Sequence, residues 1–250
     1  MNYLTPDWPA PLNIKAFTTT RLGWGVRLAS PQNPTQAETQ QLVSLLNLPN
    51  QPNWLTQHHG ITVVEAKPAN LHAQADASFT LTPNQVCVVM TADCLPVLIT
   101  NRQGNCVAAV HAGWRGLANG VIENTLALLN QQVNQPAEEL LVWLGPAIGP
   151  AKFEVGKDVY EAFVSRHAEA MRAFAPQGNE KWLADLYALA RLRLAAKGVT
   201  TVYGGDYCTY TQEDLFFFPT AAIVAPPAAW RVLYGWTKSN IAHKMKLMAT

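Results

Sequence analysis

Three strand-sized apolar runs, residues 86–90, 97–100 and 106–111, follow one another with only bends and turns between them. They are bounded by Pro83-Asn84, a bend over 93–96 and the turn Arg102-Gln103-Gly104-Asn105. Runs this short, punctuated in this way, are strands rather than helices, so a sheet occupies the middle of the chain. Elsewhere the period alternates. Residues 14–20 read as a strand, 36–46 as a helix with Leu42, Leu45 and Leu46 on one side, and 54–58 and 63–66 as short strands. Helical spacing returns over 121–133, after Asn119-Gly120, and a strand over 140–144 ends in Gly145-Pro146. Helices are predicted over 157–167 and 183–197, the second closed by Gly198, and a last strand over 199–203. Strands in runs as well as in βα alternation predict a single α/β domain of mixed β-sheets flanked by helices, not a doubly wound parallel fold.

Composition narrows the function. Of 250 residues, 49% are hydrophobic and 14% charged, against roughly a quarter charged in an average soluble domain. Such a chain folds around a sizeable core. The net charge of +1 leaves no stripe of Lys and Arg to neutralise phosphates, which argues against nucleic acid. No apolar run approaches the ~20 residues of a membrane span. Small-molecule chemistry is the class that remains. Residues 1–9 have neither a basic nor an apolar leader region, which predicts a cytoplasmic location. The irregularly spaced Cys87, Cys94, Cys106 and Cys208 then read as reduced thiols or ligands rather than a disulfide framework.

Three segments place reactive side chains at strand ends or in turns: Gln57-His58-His59-Gly60, Thr91-Ala92-Asp93-Cys94-Leu95-Pro96 and His111-Ala112-Gly113-Trp114-Arg115-Gly116. Taken singly, each has a plain structural reading as a turn, a small buried thiol or a strand end. Taken together, antiparallel pairing across the Arg102–Asn105 turn brings Cys94 and His111 to the same end of a sheet. Two imidazoles and one thiolate form a zinc shell with the fourth position open, the pattern of a catalytic site. Arg21, Asp76, Asp93 and Arg115 are candidates for anion binding and proton handling. Turn capping for the two Asp residues and a surface ion pair for Arg115 are the alternatives.

These segments, with Thr18-Thr19-Thr20-Arg21-Leu22-Gly23, Ala75-Asp76-Ala77, Gly145-Pro146-Ala147-Ile148-Gly149-Pro150 and Phe153-Glu154-Val155-Gly156, resemble the successive motifs of the YfiH family. That family is also called the multicopper polyphenol oxidase or laccase domain family and the peptidoglycan editing factor family. The resemblance runs from about residue 14 to Phe217. It implies a layered α/β/β/α fold related to the deamidase domain of the cytotoxic necrotizing factors. It also implies a metal triad of His59, Cys94 and His111, which act as the catalytic residues, with His58 standing where relatives carry Val or another apolar residue. The implied activity is zinc-dependent phosphorolysis of adenosine, inosine and methylthioadenosine, with adenosine deamination, so the expected partners are a nucleoside and phosphate. A multicopper site is excluded by the chain itself, which has six histidines and no His-x-His. Copper at the one site would support phenol oxidation only adventitiously. A cysteine or zinc hydrolase that edits peptidoglycan precursors, with Cys94 as nucleophile and His111 as base, is the alternative. A member of the family that has lost activity is the third.

After Phe217 the resemblance stops. Codons can be chosen for residues 218–236 so that the frame one base earlier spells Ser-Tyr-Arg-Arg and later Gly-Arg-Met-Ala, the family's ending. The expectation is a catalytic domain over 1–217 and a divergent, frameshifted tail over 218–250, which the nucleotide sequence tests. Pro219, Pro226 and Pro227 cannot donate ladder hydrogen bonds, so residues 218–229 are expected to make a poor central strand and a mobile tail. Near Gly23-Trp24-Gly25-Val26-Arg27 a stretch carried by relatives is shortened, which removes part of the pocket rim.

Overall fold

The computed structural model describes residues 3–21, 34–134, 136–216 and 220–226. In chain order its strands are β1 (Tyr3–Leu4), β2 (Lys15–Thr19), β3 (Pro52–Asn53), β4 (Leu55–Thr56), β5 (Val63–Glu65), β6 (Ala73–Gln74), β7 (Ala77–Thr80) and β8 (Val86–Thr91). They continue as β9 (Leu95–Asn101), β10 (Val107–Ala112), β11 (Leu140–Leu144), β12 (Glu154–Gly156), β13 (Phe174–Gly178), β14 (Lys181–Ala184), β15 (Val202–Gly204) and β16 (Thr220–Ala225). The helices are α1 (Gln36–Leu46), α2 (Trp114–Asn119), α3 (Val121–Val133), α4 (Lys157–Val164), α5 (Leu186–Ala195) and α6 (Glu213–Phe216).

Side-chain alternation along the buried strands sets the layers. In β8, Val86, Val88 and Met90 pack with Leu42 and Leu46 of α1, whereas Cys87 and Val89 pack with Leu98, Val107, Ala109 and Trp143 of a second sheet. The other face of that second sheet, including Val97, Ile99, Ala108, Val110 and Val142, packs against Ile122, Leu129, Leu189 and Leu194 of α3 and α5. The order α1, sheet, sheet, α3 and α5 is the α/β/β/α layering expected. Both faces of both sheets are covered, so the middle strands read as continuous apolar runs and not as alternating ones. The first sheet runs β1-β2-β16-β8-β3 and the second β15-β11-β9-β10-β7-β5. Both are mixed, with β3 parallel to β8, and β15 and β5 parallel to β11 and β7. Smaller sheets, β12-β14-β13 and β4-β6, lie beside them.

Helix α1 keeps its predicted bounds because Thr35 and Glu38 form a reciprocal capping box and Asn47 closes it in a left-handed conformation. Other expectations are corrected. The helix predicted over 183–197 begins at Leu186: Leu183 and Ala184 belong to β14, and the Asp185 side chain accepts from the Ala188 N–H as N-cap. The helix over 157–167 ends at Val164 and gives way to a 3-10 segment, Ala168–Ala173. The strand over 54–58 shrinks to β4, which frees Gln57 to Gly60 to turn, and the last predicted strand shifts to β15.

The largest correction concerns the end of the chain. Residues 220–225 are a fully buried central strand, antiparallel to β2 on one side and β8 on the other. The six ladder residues contain no proline, and Pro226 follows the last of them, so its missing N–H group interrupts nothing; Pro219 and Pro227 lie outside the described residues. Ile223 is 0% exposed in the layer shared with α1. Ile223→Ala is therefore expected to cost about 3 kcal/mol and to lower the melting temperature by roughly 10 °C. A thermal melt unchanged to within a degree or two would mean that this strand is peripheral. The expected shortening near 23–27, and the tail at 218–219 and 227–250, lie outside the described residues. No helix among the described residues is long and apolar enough to cross a membrane.

Candidate metal centre

Strand register assembles the site. Val110 of β10 pairs with Ala77 of β7, so His111 stands beside Asp76, and its N–H donates to the Asp76 carbonyl at 2.7 Å. On the other side of β10, Ala112 pairs with Leu95, so the next residues, Gly113 and Cys94, meet at the sheet's end. A Cβ on Gly113 would sit 3.0 Å from Cys94 Sγ and 2.7 Å from His59 Cδ2. The third segment is tied in by Gln57, whose amide donates to the Met90 carbonyl and accepts from the Met90 N–H, both at 2.8 Å, like one residue of a strand. His59 then takes a left-handed φ of 63°.

The expected pairing of Cys94 with His111 thus brings both to one sheet end, and among the described residues His59, Cys94 and His111 form a group whose ligand atoms lie within 4.8 Å of one another. Cys94 Sγ is 3.6 Å from His59 Nε2; ligands of one tetrahedral zinc stand roughly 3.5 Å apart. The imidazoles of His59 and His111 meet edge to face at 4.8 Å. His111 Nδ1 is 2.8 Å from Asp76 Oδ1. A carboxylate only accepts, so Nδ1 carries the proton and Nε2 is left as the ligating atom, the arrangement that metal-binding histidines use. Soft thiolate and imidazole donors, one of them oriented by a buried carboxylate, fit a transition-metal ion.

Asp76 is 0% exposed. It is therefore not available to a substrate, and it does more than cap a turn. Oδ1 accepts the His59 N–H at 2.8 Å and the His111 ring, and Oδ2 accepts the Gly60 N–H at 2.7 Å and the His58 N–H at 3.3 Å. One carboxylate so holds both imidazoles of the triad, His59 through its backbone and His111 through its ring. Burial pushes the Asp76 pKa up, but the His111 and Gly60 hydrogen bonds outweigh it and hold the carboxyl below its ordinary range. Burial lowers the pKa of His111, and the bonds to Asp76 and Cys94 overturn that and raise it to about 9. Burial and the neighbouring His111 lower that of His59. Because the folded value of His111 exceeds its ordinary 6.5, its contribution to metal-free stability is complete below about 6.5 and is lost as pH rises through about 9. Metal must displace that proton. Affinity is thus expected to climb between pH 7 and 9, with proton release seen by calorimetry in buffers of different ionisation enthalpy.

The remaining candidates lie around the triad. Arg115 is exposed, stacks on the Trp114 ring at 4.2 Å, and is near enough to His59 to depress its pKa. Asp93 is exposed; its carboxylate accepts from the Thr209 hydroxyl at 2.7 Å and its carbonyl from the Ile148 N–H at 3.0 Å. Arg21 is exposed at the end of β2, its N–H donating to the Leu215 carbonyl. Tyr187 was not anticipated. Its hydroxyl accepts from the Ala147 N–H and donates to the Tyr207 carbonyl, both at 2.8 Å, which locks together the loops that carry Ile148 and Thr209. The signal for it was weak, a Tyr inside an apolar helix. All four cysteines are free thiols.

Gly113 has φ −61° and ψ 156°, which alanine adopts freely, so the contacts of its absent Cβ isolate packing at the triad. Gly113→Ala is expected to leave the fold intact and to abolish stoichiometric metal binding, as read by atomic absorption after gel filtration. Full metal occupancy in this variant would show that His59 and Cys94 need not approach each other.

Fold and site together define a layered α/β/β/α protein with a His-Cys-His group that could hold a metal ion, and the chain belongs to the family described as multi-copper polyphenol oxidoreductase laccase, whose model matches residues 16–218. It is 48% identical over 226 residues to a purine nucleoside phosphorylase of Pseudomonas aeruginosa, covering 86% of this chain and 91% of that protein. It is 47% identical over 227 residues to the purine nucleoside phosphorylase YfiH of Escherichia coli K12, with the same coverage of 86% and 91%. A crystal structure of a Neisseria meningitidis protein, 41% identical, superposes with a TM-score of 0.82 over 91% of this chain and all of that one. YlmD from Geobacillus stearothermophilus, at 20% identity, shares the fold with a TM-score of 0.78.

Proposed function

We propose that the chain is a cytoplasmic, zinc-dependent purine nucleoside phosphorylase that acts on adenosine, inosine and methylthioadenosine and also deaminates adenosine. The observation that carries this is the His59-Cys94-His111 group, with Asp76 behind it, in a chain nearly half identical to relatives named purine nucleoside phosphorylase. His59, Cys94 and His111 would hold the ion, which supplies Lewis acidity for polarising a bound oxygen. Arg115, fixed against Trp114, offers two parallel N–H groups to a phosphate, with Arg21 as a second cation. A phosphate oxygen so held attacks the anomeric carbon of the ribose. The bond from that carbon to the purine nitrogen breaks, the base leaves with its electron pair and takes up the proton that the hydrogen phosphate gives up, and ribose 1-phosphate remains. In deamination water adds at the purine C6 and ammonia leaves. Copper bound by the same donors would account for phenol oxidation as a side reaction.

Incubation of purified, metal-analysed protein with inosine tests this. Hypoxanthine is expected only when phosphate is present. A sample with one zinc per chain that releases none would overturn the proposal.

One contact favours a second reading. Cys94 Sγ lies 3.6 Å from a ring nitrogen of His59 and within 4.8 Å of one on His111, the geometry of a thiol activated by a base, which would suit hydrolytic editing of a peptidoglycan precursor. Activity that survives complete chelation would favour it.

A further inference from the structure

His58 supplies a second imidazole to the carboxylate behind the triad. Its Nδ1 lies 3.3 Å from Asp76 Oδ2, the oxygen opposite the one that holds His111, and its side chain is 48% exposed while Asp76 and His111 are buried. The ring folds back over its own turn. A Cβ on Gly60 would fall 2.3 Å from His58 Nε2 and 2.8 Å from Cδ2, so only glycine at 60 leaves room for the ring in this position. Two of the contacts to Oδ2 come from His58, its N–H and its ring, and the third is the 2.7 Å bond from the Gly60 N–H. The turn that carries His59 and the carboxylate that orients His111 therefore share one partly exposed lid.

We infer that His58 is a positioning residue: through Asp76 it holds the His59 turn and the His111 ring in place and so sets the affinity of the triad for its metal. This rests on the reading of His59, Cys94 and His111 as metal ligands. The reasoning is geometric. A carboxylate anchors a ligating histidine best when its other oxygen is also fixed, and partners at this remove typically change metal affinity by about 10- to 100-fold. The contacts of His58 with the site run to Asp76 Oδ2, from its N–H and from its ring, so its positioning effect passes through Asp76.

The test uses the full chain with zinc in competition with a chromophoric chelator, and with cobalt(II), whose thiolate charge-transfer and d–d bands report the geometry of the site. His58→Ala is expected to weaken zinc binding about tenfold and to shift the cobalt spectrum, and His58→Asn, which can return an N–H to Oδ2, to recover most of both. Gly60→Ala keeps the imidazole but displaces it, and residue 60 lies outside the left-handed region, so alanine suits its backbone. It is expected to match His58→Ala, with the double variant no weaker than either single one, because both remove the same contact. Should His58→Ala fail to fold, Gly60→Ala alone carries the test. Wild-type affinity and cobalt spectra in the single variants, or losses that add in the double one, overturn the inference. A wild-type chain that binds neither ion stoichiometrically overturns the metal reading itself, a result distinct from the first.

Discussion

Asp76→Asn lowers the melting temperature by roughly 10 °C and the affinity for metal by one to two orders of magnitude. The substitution keeps the shape of the side chain and removes its charge, and no orientation of the amide satisfies its surroundings. If the NH2 group replaces Oδ2 it faces the N–H groups of Gly60 and His58; if it replaces Oδ1 it faces the His59 N–H and the His111 ring. Donor is set against donor at a site with no exposure to water. Loss of one partner of a buried charged pair costs about 3–5 kcal/mol, which in a domain of this size is roughly 10 °C. The loss of metal affinity follows separately, because the anionic acceptor that fixes the His111 proton on Nδ1 and makes the ring a stronger donor to the metal is gone, and loss of such a partner costs about 10- to 100-fold. Scanning fluorimetry with and without zinc, and chelator competition, measure the two. A variant within 2 °C of wild type would show that the carboxylate's charge is not what holds the turn.

Cys94→Ala is expected to cut phosphorolysis by about three orders of magnitude and to leave the chain without stoichiometric metal, because two imidazoles alone do not make a zinc shell. Cys94→Asp separates the two readings of the residue. A carboxylate ligates zinc at about the same distance as imidazole but cannot act as a thiol nucleophile. Retained metal together with partial activity in this variant supports a ligand role. Retained metal with activity as low as in Cys94→Ala would make the thiol the reacting atom and move the proposed chemistry to the cysteine reading.

Much of this was legible in the chain. The bounds of α1, α3 and β11 follow from periodicity and, for the last two, from the glycines beside them at 120 and 145, because each element decides its own ends by local rules. The meeting of Cys94 and His111 was readable because only a short turn separates β9 from β10, which leaves antiparallel pairing as the simple outcome. What was missed is long-range. Asp76 reads from the sequence as a candidate for proton handling or as a turn cap, and its role behind the triad is hidden, since nothing in Ala75-Asp76-Ala77 shows that the turn at 57–60 will fold over it. Leu183 and Ala184 fitted the helical pattern of α5, and the cap at Asp185 that divides them from it is a single side chain. In the last strand the prolines of the sequence outweighed the apolar residues between them, although the six residues 220–225 carry no proline and form a ladder of ordinary length.

That strand has a consequence for how the molecule is made. It lies between β2, near the beginning of the chain, and β8, and Ala222 pairs with Thr18. During synthesis β2 and β8 must therefore wait, each with an unsatisfied edge, until residues 220–225 have emerged, and pairings so remote in sequence form slowly. The nascent protein is open along the centre of one sheet rather than at its rim. Its greatest exposure to aggregation falls in this interval, before the finished fold has any stability to defend.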